Sequence, residues 1–434
     1  MTLADFDSKP REAALAICRR LAEAGHVAYF AGGCVRDELL GLHPSDYDVA
    51  TDATPDRVRD IFGPRRTQAV GQAFGVMLVK EGRQQIEVAT FRTDGDYSDG
   101  RRPDSVRFTN AAEDAQRRDF TINGLFRDPL AQAADPNDDG VIDHVGGKRD
   151  LADNLLRCIG RPRDRFGEDY LRMLRAVRFT ARFDLEIHVE TAKALIDLSP
   201  RLAAISPERV GEELRKMLLP PTRGRAWQLL WETRLIDVIL RTIPGESTPG
   251  GHRPITREAA KIDRPIGVGL ALAATAGDWF LQSGLAPAKL FSPQIADAAA
   301  KGLRRSLRLS NDQTQAVADA LFAEPLLRPD PPSVATMKRF LARPGSRDAR
   351  FLLHVAGTLD DDLQARVHWL ESSFRQFDPA RLAPDPLVTG DDLIQAGVAP
   401  GPSFKRALDA AYDAQLDGRA TDQPAALAIA MASL

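Results

Sequence analysis

The stretch GGCVRDELLGLHPSDYDVAT, residues 32–51, constrains the fold of this chain more than any other. A glycine pair and an Arg-Asp precede a short apolar run ending in glycine, and two aspartates then stand two apart. SDYDVAT reads as a strand, and the period of two puts Asp46 and Asp48 on one face with Val49 on the other. Like charges so close repel unless a cation neutralises them. Hard divalent ions bind through one or two carboxylates plus substrate phosphates, which makes Asp46 and Asp48 candidate metal ligands. A solvated edge strand with a chance Asp-x-Asp is the plainer reading, and the residues before the strand weigh against it. A glycine pair between strand and helix lets the backbone N–H groups of Gly32 and Gly33 approach phosphate oxygens, at a helix start where anions are favoured. Arg36, one turn into that helix, adds a charge-assisted contact. Glu87, in QIEVATFR, lies on another strand with Ile86 and Val88 on the opposite face. It is the candidate third carboxylate of a two-metal phosphoryl-transfer site, and a glutamate facing solvent is its plainer reading.

The punctuation around this stretch is mixed α and β. Residues 11–24 repeat Leu and Ala at helical spacing and stop at Gly25. VAYFA (27–31) reads as a buried strand and VRDELLG as a short helix ending at Gly41. TPDRVRDIF has Thr54 as N-cap and Pro55 at the first helical position. GVMLVKEGRQQIEVATFR reads as a hairpin turning at EGR, and 93–108 as a long polar loop. After DHVGGKRDL (143–151) nearly every segment has helical period, and 325–346 reads as a Pro-rich link.

A chain of 434 residues has room for two to four domains. Its net charge of −3 does not announce a nucleic-acid binder, yet eight arginines crowd the segment from Arg157 to Arg182. Such a cluster builds a positive groove on a neutral protein, or else a solvated helix face. Three cysteines, far apart and without CxxC spacing, argue against zinc or a disulfide scaffold and fit a reducing compartment. The N-terminus is acidic and then amphipathic, unlike a signal peptide. IGVGLALAATAG (266–277) is too short to span a bilayer and reads as a buried core helix. The expected location is the cytoplasm, away from membranes.

These residues give the chain its resemblance. The GGxVRDxLLG…DxDxAT pattern resembles the first motif of class II tRNA nucleotidyltransferases (CCA-adding enzymes) and bacterial poly(A) polymerases. RRDFTINGL (117–125), DHVGGKRDL, EDYLRMLRAVRF (168–179) and SPERVGEELRKML (206–218) are similar to the family's second to fifth motifs, in order. Weaker echoes follow in RLSND (308–312) and in 389–420. The resemblance implies an α+β chain. A DNA-polymerase-beta-like head, a mixed sheet with helices, would span 1–145. An elongated all-α remainder would follow as neck (146–220), body (221–325) and RNA-binding tail (326–434). It further implies that Gly33, Arg36, Arg118, Arg175 and Arg178 contact the nucleotide or its phosphates. Asp119 and Asn123 would reach the ribose or hold the site together.

The fourth motif carries the most physical content. On a helix Asp169 and Arg172 are three apart, hence neighbours, and Glu168 braces Arg172 from four residues away. Cytosine and adenine both present an amino donor beside a ring-nitrogen acceptor, so an Asp acceptor beside an Arg donor matches either. Uracil and guanine reverse that pattern and leave buried partners unpaired, at a cost of several kcal/mol, to order of magnitude. An ordinary surface salt bridge is the alternative. Leu174 and Val177 fall on the other side of the helix, as core.

The implied reaction is attack of an RNA 3′-hydroxyl on the α-phosphate of CTP or ATP, releasing pyrophosphate. Asp46 and Asp48 would hold Mg²⁺ and Glu87 would position or activate the hydroxyl. The implied partner is the tRNA 3′ acceptor end, bound by the later helices through its phosphates. Ser45, Gly124 and Tyr170 stand where the family usually has Lys, Ala and Pro, and Tyr170 bears on how the templating helix starts. CC-only, A-only and poly(A) addition are rival activities. The long 93–108 loop favours switching from C to A, since CC-adding relatives are shortened there. The neutral VGQAFGVM (70–77) lacks the basic stretch usual in the poly(A) polymerases. An inactive RNA-binding protein of the same fold is the rival of another class, and the intact aspartates argue against it.

Overall fold

The computed structural model describes residues 3–71, 74–95, 105–131, 139–246, 248 and 250–434. The chain divides into two compact units, the first reaching Glu213 with Thr233–Leu235 added, the second formed by Leu214–Glu232 and Ile236–Leu434.

The first unit opens with α1 (Leu3–Glu23), which begins earlier than the Leu/Ala pattern predicts. Its buried residues Ala14, Ile17, Cys18 and Leu21 follow helical spacing, and Gly25 ends it at φ +84°. Next come β1 (Ala28–Ala31), α2 (Gly33–Leu39), β2 (Asp48–Thr51) and α3 (Pro55–Phe62). Thr54 Oγ1 caps α3 by accepting the Arg57 N–H at 3.4 Å. The strands β3 (Thr67–Gly71), β4 (Val76–Glu81) and β5 (Gln84–Thr90) follow, with β4 and β5 turning at Gly82 and Arg83 as the EGR signal predicts. After β6 (Arg92–Asp94), β7 (Val106–Phe108) and α4 (Ala111–Gln116) come β8 (Leu125–Arg127), β9 (Val141–Asp143) and α5 (Gly147–Ala152).

Among the described residues seven strands form one mixed sheet in the order β3-β4-β5-β2-β1-β8-β9. Within it only β2 and β5 pair in parallel, with Val49 opposite Val88. Helix α1 lies against β1, β2, β4 and β5. Elsewhere Ala31, Ala50, Phe91, Ala115 and Phe126 pack together, with Phe91 edge-on to Phe126 at 5.8 Å. Two expectations are corrected here. The ladder of β2 starts at Asp48, so Asp46 precedes the strand, yet the alternation holds: both aspartates face out while Tyr47 and Val49 are buried. The 93–108 segment is not loop throughout, because its ends pair as β6 and β7; residues 96–104 lie outside the described residues.

From β10 (Leu155–Leu156) onward the first unit is mostly helical: α6 (Pro162–Glu168), α7 (Leu171–Phe183), the short β11 (Glu186–Ile187), α8 (Val189–Leu198) and α9 (Pro207–Met217). Leu174 and Val177 of α7 are fully buried, as the helical reading expects.

The second unit is built from helices. The apolar 266–277 stretch falls in the helix Val268–Gln282, buried on nearly every side. Its one carboxylate, Asp278, accepts the backbone N–H groups of Ile255 and Thr256 at 2.9 and 2.8 Å, and burial pushes it up to about 6. Residues 325–346 are more than a link, since Ser333 caps a helix over Val334–Leu341. The last three helices close on Leu393, Ala407, Ala411 and Ala414. Among the described residues no helix is long and apolar enough to cross a membrane.

Candidate active site

A cavity of about 510 Å³ opens in the first unit, a volume in the range that small-molecule sites occupy. Gly32, Gly33, Arg36, Asp46, Asp48, Arg118, Asp119, Asn123, Asp169, Arg172, Arg175 and Arg178 all line it. They come from the β1–α2 junction, the start of β2, the segment between α4 and β8, and α7 with the residues before it. Of the candidates read from the sequence, only Glu87 does not line this cavity. It is exposed on β5, and the parallel register that pairs Val49 with Val88 sets Glu87 beside Asp48.

The charges of Asp46, just before β2, and of Glu87 on the neighbouring β5 both act on Asp48. The protein wall of the cavity, which strips water from the carboxylate, then the charge of Glu87 and then that of Asp46 push the Asp48 carboxyl up to about 7, against the pull of Arg118. Hard oxygen donors in mutual repulsion, facing a cavity of nucleotide size, are a donor set that a divalent ion completes. Among the described residues no three metal-ligating side chains are gathered around one point, so substrate oxygens would have to complete the shell.

Gly32 has a reason beyond phosphate approach. Its φ is +71°, and a Cβ there would lie 2.7 Å from Arg118 Nη1, so any side chain would displace that arginine. Arg36 lines the cavity but directs its donors inward, to Asp37 Oδ1 at 2.8 Å and to Asn123 Oδ1, with its guanidinium over Phe179 and Phe183. Asp119 accepts Arg175 through Nε and Nη2 at 2.8 and 2.6 Å, and the Asn123 amide at 3.0 Å. Burial would raise the Asp119 carboxyl, yet Arg175, the Asn123 hydrogen bond and Arg172 together hold it down at about 2.

The templating pair is built differently from the single helix expected. The helix breaks at Asp169, whose backbone is extended at φ −154°, so Asp169 lies in the link between α6 and α7. Its Oδ1 accepts the Leu171 N–H at 2.9 Å, satisfying an orphan donor at the start of α7. Its Oδ2 accepts Arg209 Nη2 at 2.5 Å. Arg172 does point back to Glu168, as the four-residue spacing predicts, and also donates to the Arg165 carbonyl at 2.9 Å.

Arg117, Arg182 and Arg209 also line the cavity and escaped sequence reasoning as site residues. Two of them have partners remote in the chain: Arg182 meets Asp37 at 3.2 Å and Arg209 meets Asp169 at 2.5 Å, whereas Arg117 pairs with Asp114 three residues before it. Helical spacing gave a signal for Arg182, which continues the Arg172–Arg175–Arg178 face. Nothing local marks Arg209.

The Poly A polymerase head domain family matches residues 28–157, and the family described as a probable RNA and SrmB-binding site of polymerase A matches 184–245. A CCA-adding enzyme of Lactobacillus gasseri is 42% identical over 228 residues, which is 52% of this chain and 55% of that protein. Poly(A) polymerase I of Salmonella typhi is 40% identical over 262 residues, 58% of this chain and 54% of that protein. The chain thus matches just over half the length of these curated relatives. The likeness to a crystal structure of the Bacillus stearothermophilus CCA-adding enzyme in complex with CTP covers 98% of this chain and 97% of that one, at TM-score 0.67 and 28% identity. Residues 28–157 thus carry a Poly A polymerase head domain. Members of this family work with a divalent metal ion, which the repelling carboxylates at 46 and 48 suit.

Proposed function

We propose that this protein is a template-independent tRNA nucleotidyltransferase that adds CCA to tRNA 3′ ends from CTP and ATP in the cytoplasm. The observation that carries the reading is one cavity bordered at once by Asp46 and Asp48 and by Asp169 and Arg172. In that cavity a triphosphate meets carboxylates at one end while its base meets an acceptor–donor pair. Two Mg²⁺ ions held by Asp46 and Asp48 would neutralise the phosphates and stabilise attacking and leaving oxygens.

The chain's own residues do the remaining work. The 3′-oxygen of the RNA forms a bond to the α-phosphorus while the bond to the bridging oxygen breaks and pyrophosphate leaves. Glu87, beside Asp48, positions the hydroxyl and takes part in removing its proton. Arg118 and Arg175, each fixed by a carboxylate, line the path of the triphosphate, with the backbone at Gly32 and Gly33 approaching it closely. Asp119 and Asn123 hold that wall in place. Arg172, held by Glu168, donates to the ring nitrogen of cytosine or adenine, and Asp169, held by Arg209, accepts from the amino group. Uracil and guanine leave both unpaired.

Poly(A) synthesis is the second reading, favoured by the match to the Salmonella poly(A) polymerase. Transcripts of tRNA ending before CCA, after C and after CC, each supplied with one nucleotide at a time, separate the two. CCA addition gives one or two C, then one A, then arrest. Long A tracts on every transcript would replace it with poly(A) synthesis, and no extension of any transcript would remove both.

A further inference from the structure

The second unit holds a cavity of about 420 Å³ between the helix Arg223–Glu232, the helix Pro254–Ala260 and the turn leading into the latter. Trp227 and Trp231 lie four apart on one helix face and form its floor. Trp227 is fixed in place by donating its Nε1–H to Thr275 Oγ1 at 3.0 Å. The guanidinium of half-buried Arg253 lies over the Trp231 ring, 5.7 Å from its centroid, while His252 and Arg257 stand exposed at the rim. Among the described residues no carboxylate lines the cavity. Among the described residues neither Arg253 nor Arg257 is ion-paired.

A guanidinium resting on an indole offers its outer face to another planar ring, and exposed cations beside it suit a phosphate. Stacking platforms edged with positive charge are how proteins hold single-stranded nucleic acid without reading its sequence. The family match over 184–245, described as a probable RNA-binding site, takes in Gly224, Trp227, Gln228 and Trp231 of this cavity. We propose that the cavity takes one unpaired nucleotide of an RNA strand, its base against the Arg253–Trp231 pair and its phosphate on Arg257 and His252. The inference rests on RNA being the substrate, but it shares no residue with the carboxylate site.

All four tryptophans, at 227, 231, 279 and 369, belong to the second unit, so intrinsic fluorescence reads that unit and not the nucleotide cavity. The test titrates the full chain, in low salt, with a single-stranded adenylate hexamer, with AMP and with inorganic phosphate. A saturable quench by hexamer and AMP, absent with phosphate, is expected. The double variant Arg253→Ala/Arg257→Ala should weaken hexamer binding about tenfold with an unchanged melting temperature. Asp48→Ala, which removes the chemistry, should leave the quench as it is. A quench that phosphate reproduces, one the double variant leaves intact, or none with any RNA overturns the proposal. If incorporation fails while the quench persists, the cavity assignment stands and the proposed activity falls.

Discussion

Around Asp46 and Asp48 eight arginines line the first unit's cavity, and each is held by a carboxylate. Around Trp227 and Trp231 of the second unit, among the described residues, neither Arg253 nor Arg257 forms an ion pair, though the buried Asp278 carboxylate is near enough to feel the charge of Arg253. Ion pairing of a half-buried arginine gains little net stability, because desolvation offsets much of the Coulomb attraction. It fixes where the donors point before substrate arrives, which is what selective charge stabilisation needs. Unpaired arginines at an aromatic floor keep their freedom and suit a partner recognised by shape and charge alone. Pairing thus separates a cavity suited to choosing from a cavity suited only to holding.

The most forceful way to break this contrast is Asp48→Ala. Incorporation of radiolabelled nucleotide into RNA should fall at least about a thousandfold while RNA binding stays within about twofold; equal loss of both would show that the carboxylates serve binding. The next largest effect concerns the paired network itself. Asp119→Asn should cost about 2 kcal/mol in urea unfolding at pH 7, below the ~3–5 kcal/mol of a fully buried pair because Arg175 is one third exposed. The sign with pH follows from the depressed carboxyl at about 2. Its stabilisation is complete above the ordinary carboxylate range and is lost as pH falls from about 4 towards 2. Wild type should therefore lose stability over that interval more steeply than the variant, and parallel curves would remove Asp119 as the anchor.

Selectivity sharpens the contrast further. Arg172→Ala should reduce the preference for CTP and ATP over UTP and GTP about tenfold in kcat/KM; an unchanged ratio would move base choice elsewhere. Arg253→Ala should leave that ratio alone. The smallest effect is that of pH on metal binding. Asp48, raised to about 7, must lose its proton to bind a cation. Mg²⁺ should therefore bind about tenfold more weakly at pH 6 than at pH 8 by calorimetry. Asp48→Asn should flatten that dependence, and a flat profile in wild type would place the ion on other groups.

Much of the first unit was legible because its signals are local. Alternation put Asp46 and Asp48 on one side, Thr54 and Pro55 opened α3, and EGR turned the β4–β5 hairpin. Glu168 and Arg172 met through a four-residue spacing. Less was legible where a side chain answers to a distant one. The extended link at Asp169 breaks the helix that spacing suggested. The paired ends of 93–108 looked like plain loop because three-residue strands carry too little pattern to register.

The sequence by itself determined the chemistry on offer: a carboxylate strand, a glycine turn, an acid and an arginine beside a helix start, and a helical remainder. Those follow from covalent spacing and backbone preference, which act over a few residues. Only the tertiary structure decided that Asp119 holds Arg175 and Glu213 holds Arg178, that Gly32 makes room for Arg118, and that Arg209 secures Asp169. Those pairings join residues tens of positions apart, and only the packing of one element against another brings their charges within reach.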